Sequence, residues 1–158
     1  MSKILVIDPR RCTGCRLCEI VCSVTKEGVS DPALSRIQIC ELEAEKQYLP
    51  LVCHQCEDPL CATVCPVNGI ARDEDLDRVT ADAERCVTCR ACIAACPHGG
   101  LHFDAQARRI LRCDLCGGDP ACASVCDSGA LAYLERDVVE RRKKRDAARE
   151  MCRLAGLG

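Results

Sequence analysis

The sequence predicts an α+β fold of short hairpins and single helical turns, closed by one longer helix. Apolar and polar residues alternate in several short runs, which is the pattern of half-buried strands. Cysteine-rich loops separate these runs. The final segment is rich in strong helix formers and contains neither glycine nor proline until Gly156.

The expected elements follow one another along the chain. A strand is expected at residues 4–7, and single helical turns are expected at 19–22 and 93–96. Hairpins are expected where two alternating runs flank a polar turn, namely 36–41 with 47–52 and 101–103 with 109–111. A helix is expected from about Leu134 to Leu154 and ends before Gly156. Its apolar stripe is thin, so it needs either the body of the domain or another chain to pack on.

Sixteen of the 18 cysteines fall into four tetrads of regular spacing. In every tetrad two residues separate the first pair and three separate the last pair. The middle gap holds two residues in the first and third tetrads, four in the second and five in the fourth. The members are Cys12, Cys15, Cys18 and Cys22; Cys53, Cys56, Cys61 and Cys65; Cys86, Cys89, Cys92 and Cys96; and Cys113, Cys116, Cys122 and Cys126.

This spacing is typical of iron–sulfur cluster loops. Three closely spaced cysteines wrap around one cubane, and the fourth ligates a partner cluster. Sixteen thiolates match four [4Fe–4S] clusters, so the sequence predicts a carrier of single electrons. Pro66 and Pro97 follow the last cysteine of their tetrads, as is common in such loops, whereas Ser23 and Asp127 stand at the equivalent positions of the other two.

Other cysteine chemistries fit less well. Structural zinc prefers two separated C-x2-C pairs around one ion, and a disulfide framework needs an oxidising compartment. We expect Cys40 and Cys152, outside the tetrads, to be buried and inert thiols. The histidines His54, His98 and His102 are not expected to ligate iron, because each tetrad already has four cysteines. No catalytic residues are visible.

Composition excludes several classes of function. Tyr48, Phe103 and Tyr133 are the only aromatic residues, so the clusters must replace much of an ordinary core and the apo chain is expected to be unfolded or molten. The formal charge is −2, and four clusters add roughly −8, which argues against nucleic-acid binding. The basic run 141–145 is expected to be a solvated helix face, with a docking surface for an acidic partner as the alternative.

The sequence contains no candidate membrane span and no cleavable signal, so the cytoplasm is the expected compartment. Export together with a signal-bearing partner stays open.

Two internal similarities indicate a duplicated unit of two tetrads. CTGCRLCEIVC at 12–22 is similar to CVTCRACIAAC at 86–96. CHQCEDPLCATVC at 53–65 is similar to CDLCGGDPACASVC at 113–126, with a shared Asp-Pro. The order of the four tetrads is therefore A-B-A′-B′.

With its four tetrads, and above all the second with its C-x2-C-x4-C-x3-C-P pattern, residues 1–134 resemble a known family. It comprises the four-cluster ferredoxin-type subunits of molybdenum and tungsten oxidoreductases, formate-linked hydrogenases and carbon monoxide dehydrogenase systems. The resemblance implies two ferredoxin-like lobes around four [4Fe–4S] clusters in residues 1–133, followed by a C-terminal helix in 134–158 for docking or assembly.

The resemblance also implies that the tetrads pair outer with outer (12–22 with 113–126) and inner with inner (53–65 with 86–96). The ligand sets are then Cys12, Cys15, Cys18 and Cys126; Cys113, Cys116, Cys122 and Cys22; Cys53, Cys56, Cys61 and Cys96; and Cys86, Cys89, Cys92 and Cys65. Spacing alone leaves the sequential pairing open, first tetrad with second and third with fourth.

The resemblance implies partners as well. The preferred partner is a tungsten or molybdenum catalytic subunit in an anaerobic system, best an aldehyde oxidoreductase, together with a second redox protein. Hydrogenase, formate and carbon monoxide systems are the alternatives for the catalytic subunit. Two further alternatives do not involve a dedicated catalytic partner. They are a free polyferredoxin and a conducting scaffold whose copies stack through their cluster-bearing ends.

Overall fold

The computed structural model describes residues 3–75 and 77–156. Within these residues, eight strands form four separate two-stranded antiparallel sheets. The strands are β1 Lys3–Ile7, β2 Ile37–Leu42, β3 Gln47–Val52, β4 Ile70–Asp73, β5 Arg78–Ala81, β6 Leu101–Asp104, β7 Arg109–Arg112 and β8 Leu131–Glu135. The α-helices are α1 Leu17–Glu27, α2 Leu60–Thr63, α3 Ala91–Ala95, α4 Ala121–Ser124 and α5 Arg136–Leu154.

Three of the sheets are local hairpins, and the fourth joins the two ends of the cysteine-rich body. The hairpins are β2–β3, β4–β5 and β6–β7, whereas β1 pairs with β8. In that pairing Ile4 lies opposite Leu134 and Ile7 opposite Leu131. The Asp8 N–H continues the ladder by donating to the Ala130 carbonyl at 2.8 Å. The first and the fourth tetrads are therefore neighbours.

Helix α1 continues well past the single turn that the sequence indicated. It begins after Arg16, which has φ 59°, and ends at Gly28, whose N–H donates to the Val24 carbonyl. Ser23 lies inside the helix, fully buried, and its hydroxyl donates to the Ile20 carbonyl at 3.0 Å. A proline at position 23 would break this helix, which explains why the first tetrad lacks the proline found after Cys65 and Cys96.

Cysteines make up a large part of the core. Of the 17 buried apolar residues in the described part of the chain, seven are tetrad cysteines. One cluster of buried side chains contains Cys18, Cys22, Cys53, Cys113 and Cys122 with Ile37, Ile39, Val52, Leu115 and Leu131. A second, smaller cluster contains Cys61 and Cys92 with Val79 and Leu101. The body therefore packs around its thiols and not around aromatic side chains.

The predicted α+β fold class is confirmed, as are the first strand and the two expected hairpins. The sequence did not indicate β4–β5 or β8. Helix α5 begins at Arg136, two residues later than expected, because Leu134 and Glu135 pair with Ile4 and Lys3 of β1.

Helix α5 is attached mainly through its first turns. Val139 is its one buried residue, and Arg136 forms ion pairs with Glu57 at 3.2 Å and Asp77 at 3.1 Å. Near the other end, Met151 and Leu154 are 70% and 73% exposed. No helix in residues 3–75 and 77–156 is long and apolar enough to cross a membrane.

Candidate iron–sulfur cluster sites

The first site joins the two ends of the body. Cys12, Cys15 and Cys18 line one cavity together with Cys126, the last cysteine of the fourth tetrad. Cys12 follows a short 3-10 turn and Cys18 lies in the first turn of α1. The Leu131 N–H, at the start of β8, donates to the Cys126 Sγ at 3.3 Å. The β1–β8 pairing thus holds the Cys126 thiol against the first cysteine loop.

A second cavity is lined by the same two tetrads with their contributions exchanged, one cysteine from the first tetrad and three from the fourth. It is lined by Cys22, from the first tetrad, and by Cys113, Cys116 and Cys122, from the fourth. The Arg36 N–H donates to the Cys22 Sγ at 3.3 Å, and the Leu115 N–H donates to the Cys113 Sγ at 3.4 Å.

A third cavity combines the two inner tetrads. It is lined by Cys86, Cys89 and Cys92 together with Cys65, and its walls include Ile70, Leu101 and several arginines. The Gly69 N–H donates to the Cys65 Sγ at 3.2 Å. Hydrogen bonds from backbone N–H groups to thiolate sulfur are among the contacts that set the potential of an iron–sulfur cluster.

The remaining four cysteines are also neighbours. Burial raises the pKa of Cys56 and Cys61, and the nearby thiols of Cys53 and Cys96 add to this shift. Gly100, four residues after Cys96, packs directly on the backbone of Cys53: a Cβ at Gly100 would lie 2.5 Å from the Cys53 nitrogen. Only glycine permits this close approach.

The loops of the two halves share an unusual backbone conformation. Arg16 and Arg90, which precede α1 and α3, have φ of 59° and 62°. Gln55 and Leu115, each between the first two cysteines of its loop, have φ of 52° and 56°. None of these residue types favours positive φ, so nothing in the sequence beyond the cysteine spacing itself indicated these turns.

The donor chemistry of the four sets suits iron–sulfur clusters. Burial raises the pKa of Cys18, Cys113 and Cys122 to about 12, so these thiols stay protonated until a metal displaces the proton. Soft thiolates are the donors that iron–sulfur clusters prefer. Among the described residues, no three potential ligand side chains converge as they would on a single ion. Ligands of a cubane stand further apart because each binds a different iron.

Hydrogen bonds link the inner and outer sets. The Gln55 side-chain amide, from the loop of Cys53 and Cys56, donates to the Cys113 carbonyl at 2.7 Å and accepts from the Val79 N–H at 2.9 Å. The Arg72 guanidinium donates to the carbonyls of Gln55 and Cys56 at 3.1 and 3.0 Å. The β4–β5 hairpin therefore clamps the second cysteine loop and connects it to the fourth.

The cysteines and histidines outside the sets lie in varied environments. The rings of His54 and His98 stack with their centroids 4.2 Å apart, and burial lowers the pKa of His54. Cys40 is half-buried on β2. Cys152 is exposed on α5, so the expectation of a buried thiol was wrong there, because every residue of that helix from Glu140 onward is exposed.

Comparison with known proteins identifies the family. Residues 44–136 match the family described as the 4Fe-4S dicluster domain. The chain is also 41% identical, over 122 residues, to the polyferredoxin-like subunit of an aliphatic sulfonate oxidoreductase from Pyrococcus furiosus; the match covers 77% of this chain and 70% of the relative. The chain belongs to the 4Fe-4S dicluster ferredoxin family. The predicted resemblance to ferredoxin-type subunits is confirmed.

Two further relatives differ in size from one another. The ferredoxin is 33% identical over 165 residues to the electron transport protein HydN of Escherichia coli, covering 89% of this chain and 92% of HydN. It is 38% identical over 132 residues to the beta subunit of the NADH-dependent phenylglyoxylate dehydrogenase of Aromatoleum evansii, covering 82% of this chain but 30% of that subunit.

A solved structure supports the fold. A chain in the BamBC active-site complex of benzoyl coenzyme A reductase matches with a TM-score of 0.51 at 29% identity, covering 85% of this chain and 76% of that one. The ferredoxin thus binds [4Fe–4S] clusters and transfers electrons.

Proposed function

We propose that the ferredoxin carries single electrons through four [4Fe–4S] clusters between a catalytic oxidoreductase subunit and a second redox protein. The observation that carries the proposal is the grouping of three cavities, each lined by three cysteines of one tetrad and the last cysteine of another. The proposed ligand sets are Cys12, Cys15, Cys18 and Cys126; Cys113, Cys116, Cys122 and Cys22; Cys53, Cys56, Cys61 and Cys96; and Cys86, Cys89, Cys92 and Cys65.

These groupings favour the nested pairing over the sequential one. The sequential pairing needs Cys22 beside the second tetrad, whereas the Cys22 thiol lines the cavity of Cys113, Cys116 and Cys122. It also needs Cys96 beside the fourth tetrad, whereas Gly100 packs on the backbone of Cys53.

The clusters supply one-electron redox centres when bound. The chain's own residues bury seven of the tetrad thiols and donate backbone N–H groups to Cys22, Cys65 and Cys126.

Two of the proposed sets reach the surface. Cys15 and Cys89 are the exposed tetrad cysteines, and Leu17 and Val87 beside them are 50% and 57% exposed. We propose that the two redox partners dock at these two places, because electron transfer weakens steeply with distance. Residues 1–133 form the proposed cluster-binding domain, and 134–158 the docking or assembly segment.

A tungsten or molybdenum enzyme is the proposed catalytic partner, with an aldehyde oxidoreductase preferred in an anaerobic organism. The match to a sulfonate oxidoreductase subunit supports a partner of the oxidoreductase class. HydN and the formate hydrogenlyase subunit 2 of Escherichia coli, 30% identical over 182 residues, support a formate or hydrogenase system as the alternative. The cytoplasm is the proposed compartment, since sixteen thiolates must stay reduced.

Metal analysis and one substitution test the proposal. The anaerobically purified protein should contain about sixteen iron and sixteen sulfide per chain, on the arithmetic of four cubanes. A fully loaded protein with about eight of each would contradict four clusters. Cys22→Ser should perturb the cluster held by Cys113, Cys116 and Cys122, whereas perturbation of the Cys53, Cys56 and Cys61 cluster would support sequential pairing. Gel filtration of the native complex separates a bound subunit from a free polyferredoxin, and electron microscopy reveals stacked copies.

A further inference from the structure

Arg112, the last residue of β7, lies where three of the cysteine sets meet. Its side chain lines the cavity of Cys65, Cys86, Cys89 and Cys92. Its NH1 donates to the Cys113 carbonyl at 3.2 Å, beside the outer set of Cys22. It lies opposite Leu101 in the β6–β7 pairing, and Leu101 packs in the buried cluster that contains Cys61, a member of a third set.

The charge of Arg112 has no carboxylate partner in the described chain. Across residues 3–75 and 77–156, no carboxylate oxygen lies within 4.0 Å of its guanidinium, and its Nε is buried without any hydrogen-bond partner. Two other arginines of the same cavity do have carboxylate partners. Arg36 and Arg109 both pair with Glu27, and Arg109 also contacts Asp104 at 3.2 Å.

Arg112 as a whole is half-buried. A partly buried charge without a counter-charge is unfavourable, because the protein replaces its hydration poorly. A [4Fe–4S] cluster with four thiolates carries about −2 when oxidised and becomes more negative on reduction. A fixed cation beside it therefore stabilises both states, and the reduced state more strongly.

We propose that Arg112 is the counter-ion of the inner clusters and raises their reduction potentials. The inner clusters are those held by Cys65, Cys86, Cys89 and Cys92 and by Cys53, Cys56, Cys61 and Cys96. The inference rests on the proposed function, since it requires clusters at these thiolates. Arg112 touches no ligand sulfur by hydrogen bond; it acts through its charge, at the junction where the inner lobe meets the outer one.

The experiment compares variants of the cluster-loaded protein by anaerobic potentiometric titration with electron paramagnetic resonance. Arg112→Gln should lower the equilibrium constant for reduction of the inner clusters about tenfold. This change corresponds to a fall of ~59 mV in their reduction potentials for a one-electron step. Arg112→Lys keeps the charge and should stay close to the wild type. Arg108→Gln is the matched control: Arg108 lines the same cavity but is exposed, so solvent and salt screen an identical change in net charge.

Equal shifts in Arg112→Gln and Arg108→Gln would overturn the proposal, as would a loss in Arg112→Lys as large as that in Arg112→Gln. If Arg112→Gln fails to take up iron, the Arg112→His variant replaces it in the test. The reduction potentials of its inner clusters should fall as the pH rises and the histidine deprotonates, and this fall should exceed any change in the wild type over the same pH range. Absence of that additional fall would also overturn the proposal. Iron and sulfide analysis of the wild type distinguishes failure of the proposed function from failure of the Arg112 proposal. A deficit of iron and sulfide counts against the proposed function. Unchanged reduction potentials of Arg112→Gln in a fully loaded protein count against the role of Arg112 alone.

Discussion

At the scale of single residues, the Tyr48 ring covers part of the first cysteine loop. Gly14, between Cys12 and Cys15, has φ +70°, and a Cβ built there would lie 2.8 Å from three carbons of the Tyr48 ring. Tyr48 lies on β3 and is partly buried against the core cluster that contains Cys18 and Cys22. The ring therefore packs directly on Gly14, between two proposed iron ligands.

Gly14→Ala should destabilise this loop for two reasons, its positive φ and its contact with the ring. The φ term alone costs about 1 kcal/mol. Gly28→Ala is the matched control, because Gly28 has φ +72° but nothing within 4 Å of its Cβ position. The rate at which cluster absorbance bleaches in air should rise more in Gly14→Ala than in Gly28→Ala. Combining Gly14→Ala with Tyr48→Ala should reveal a coupling between the two sites; strictly additive effects would contradict the packing role of Tyr48.

Glu27 joins two arginines from different parts of the chain, Arg36 before β2 and Arg109 on β7. The hydrogen bond from Arg109 holds the pKa of Glu27 below its usual value of 4.5, with Arg36 acting in the same direction and burial opposing both. Because the folded-state pKa is lowered, this carboxylate contributes stability above about pH 4.5 that is lost as the pH falls through the lowered value.

Glu27→Gln should therefore lower the thermal stability of the loaded protein near neutral pH, and the difference from the wild type should shrink as the pH falls below about 4.5. Circular dichroism melting under anaerobic conditions measures this. Glu150→Gln is the control, since Glu150 also has a lowered pKa, from Arg153, but lies exposed on α5. A difference for Glu27→Gln that stays constant with pH would rule out the ionised pair as its source.

Among the elements, the sequence predicted those with regular apolar alternation and missed those that depend on distant partners. Residues 36–41 and 47–52 alternate clearly, and they form β2–β3. Strands β4 and β5 are short and carry Arg72, Asp73 and Arg78, so their pattern resembles a polar loop. Leu131–Glu135 becomes a strand only because β1, far away in sequence, lies beside it.

The same limit applies to the candidate sites. The spacing predicted the sixteen cysteines and their grouping into tetrads, because three cysteines of one loop are local in sequence. It could not predict the N–H donors Arg36, Gly69 and Leu131, since a backbone donor has no residue-type signature. Nor could it indicate Arg112, whose importance depends on the absence of a nearby carboxylate in the described fold.

The docking role of helix α5 can be tested by truncation, provided that the truncation keeps the first turn of the helix, which is attached to the body. Removal of residues from Glu140 onward keeps β8, the Arg136 ion pairs and the buried Val139. The truncated protein should retain its iron and sulfide, because no tetrad cysteine is lost. It should bind the catalytic partner or further copies more weakly, because the exposed basic run and Met151 are gone. Unchanged assembly, measured by gel filtration and binding titration, would refute a docking role for the helix.

At the scale of the whole molecule, charge is distributed unevenly. Helix α5 carries eight basic and four acidic side chains, a formal charge of +4, and the remainder of the chain carries −6 for a total of −2. Bound clusters make the body more negative still. An acidic partner surface can therefore approach α5 while the body repels it, which orients the encounter.

Removal of the iron should unfold the molecule as a whole. The four sheets are separate two-stranded pairs, and isolated hairpins are marginal in water. Among the described residues, seven of the 17 buried apolar side chains are tetrad cysteines, so removal of the clusters would leave voids behind. Chelation under anaerobic conditions should abolish cooperative thermal unfolding and make the chain sensitive to protease, whereas the loaded protein resists both. A chelated chain that still melts cooperatively would show that the polypeptide core suffices.

The pairing of β1 with β8 has a consequence for biosynthesis. The inner cysteines are all synthesised once the ribosome has passed Cys96, but the outer lobe closes only when Leu131–Glu135 can lie beside Lys3–Ile7. Strand β1 therefore stays without its partner strand until residues 131–135 have been synthesised. The two inner cysteine loops are available for cluster binding before the outer lobe can close, and we expect a chain that terminates early to hold an inner lobe with no outer lobe to pass electrons to.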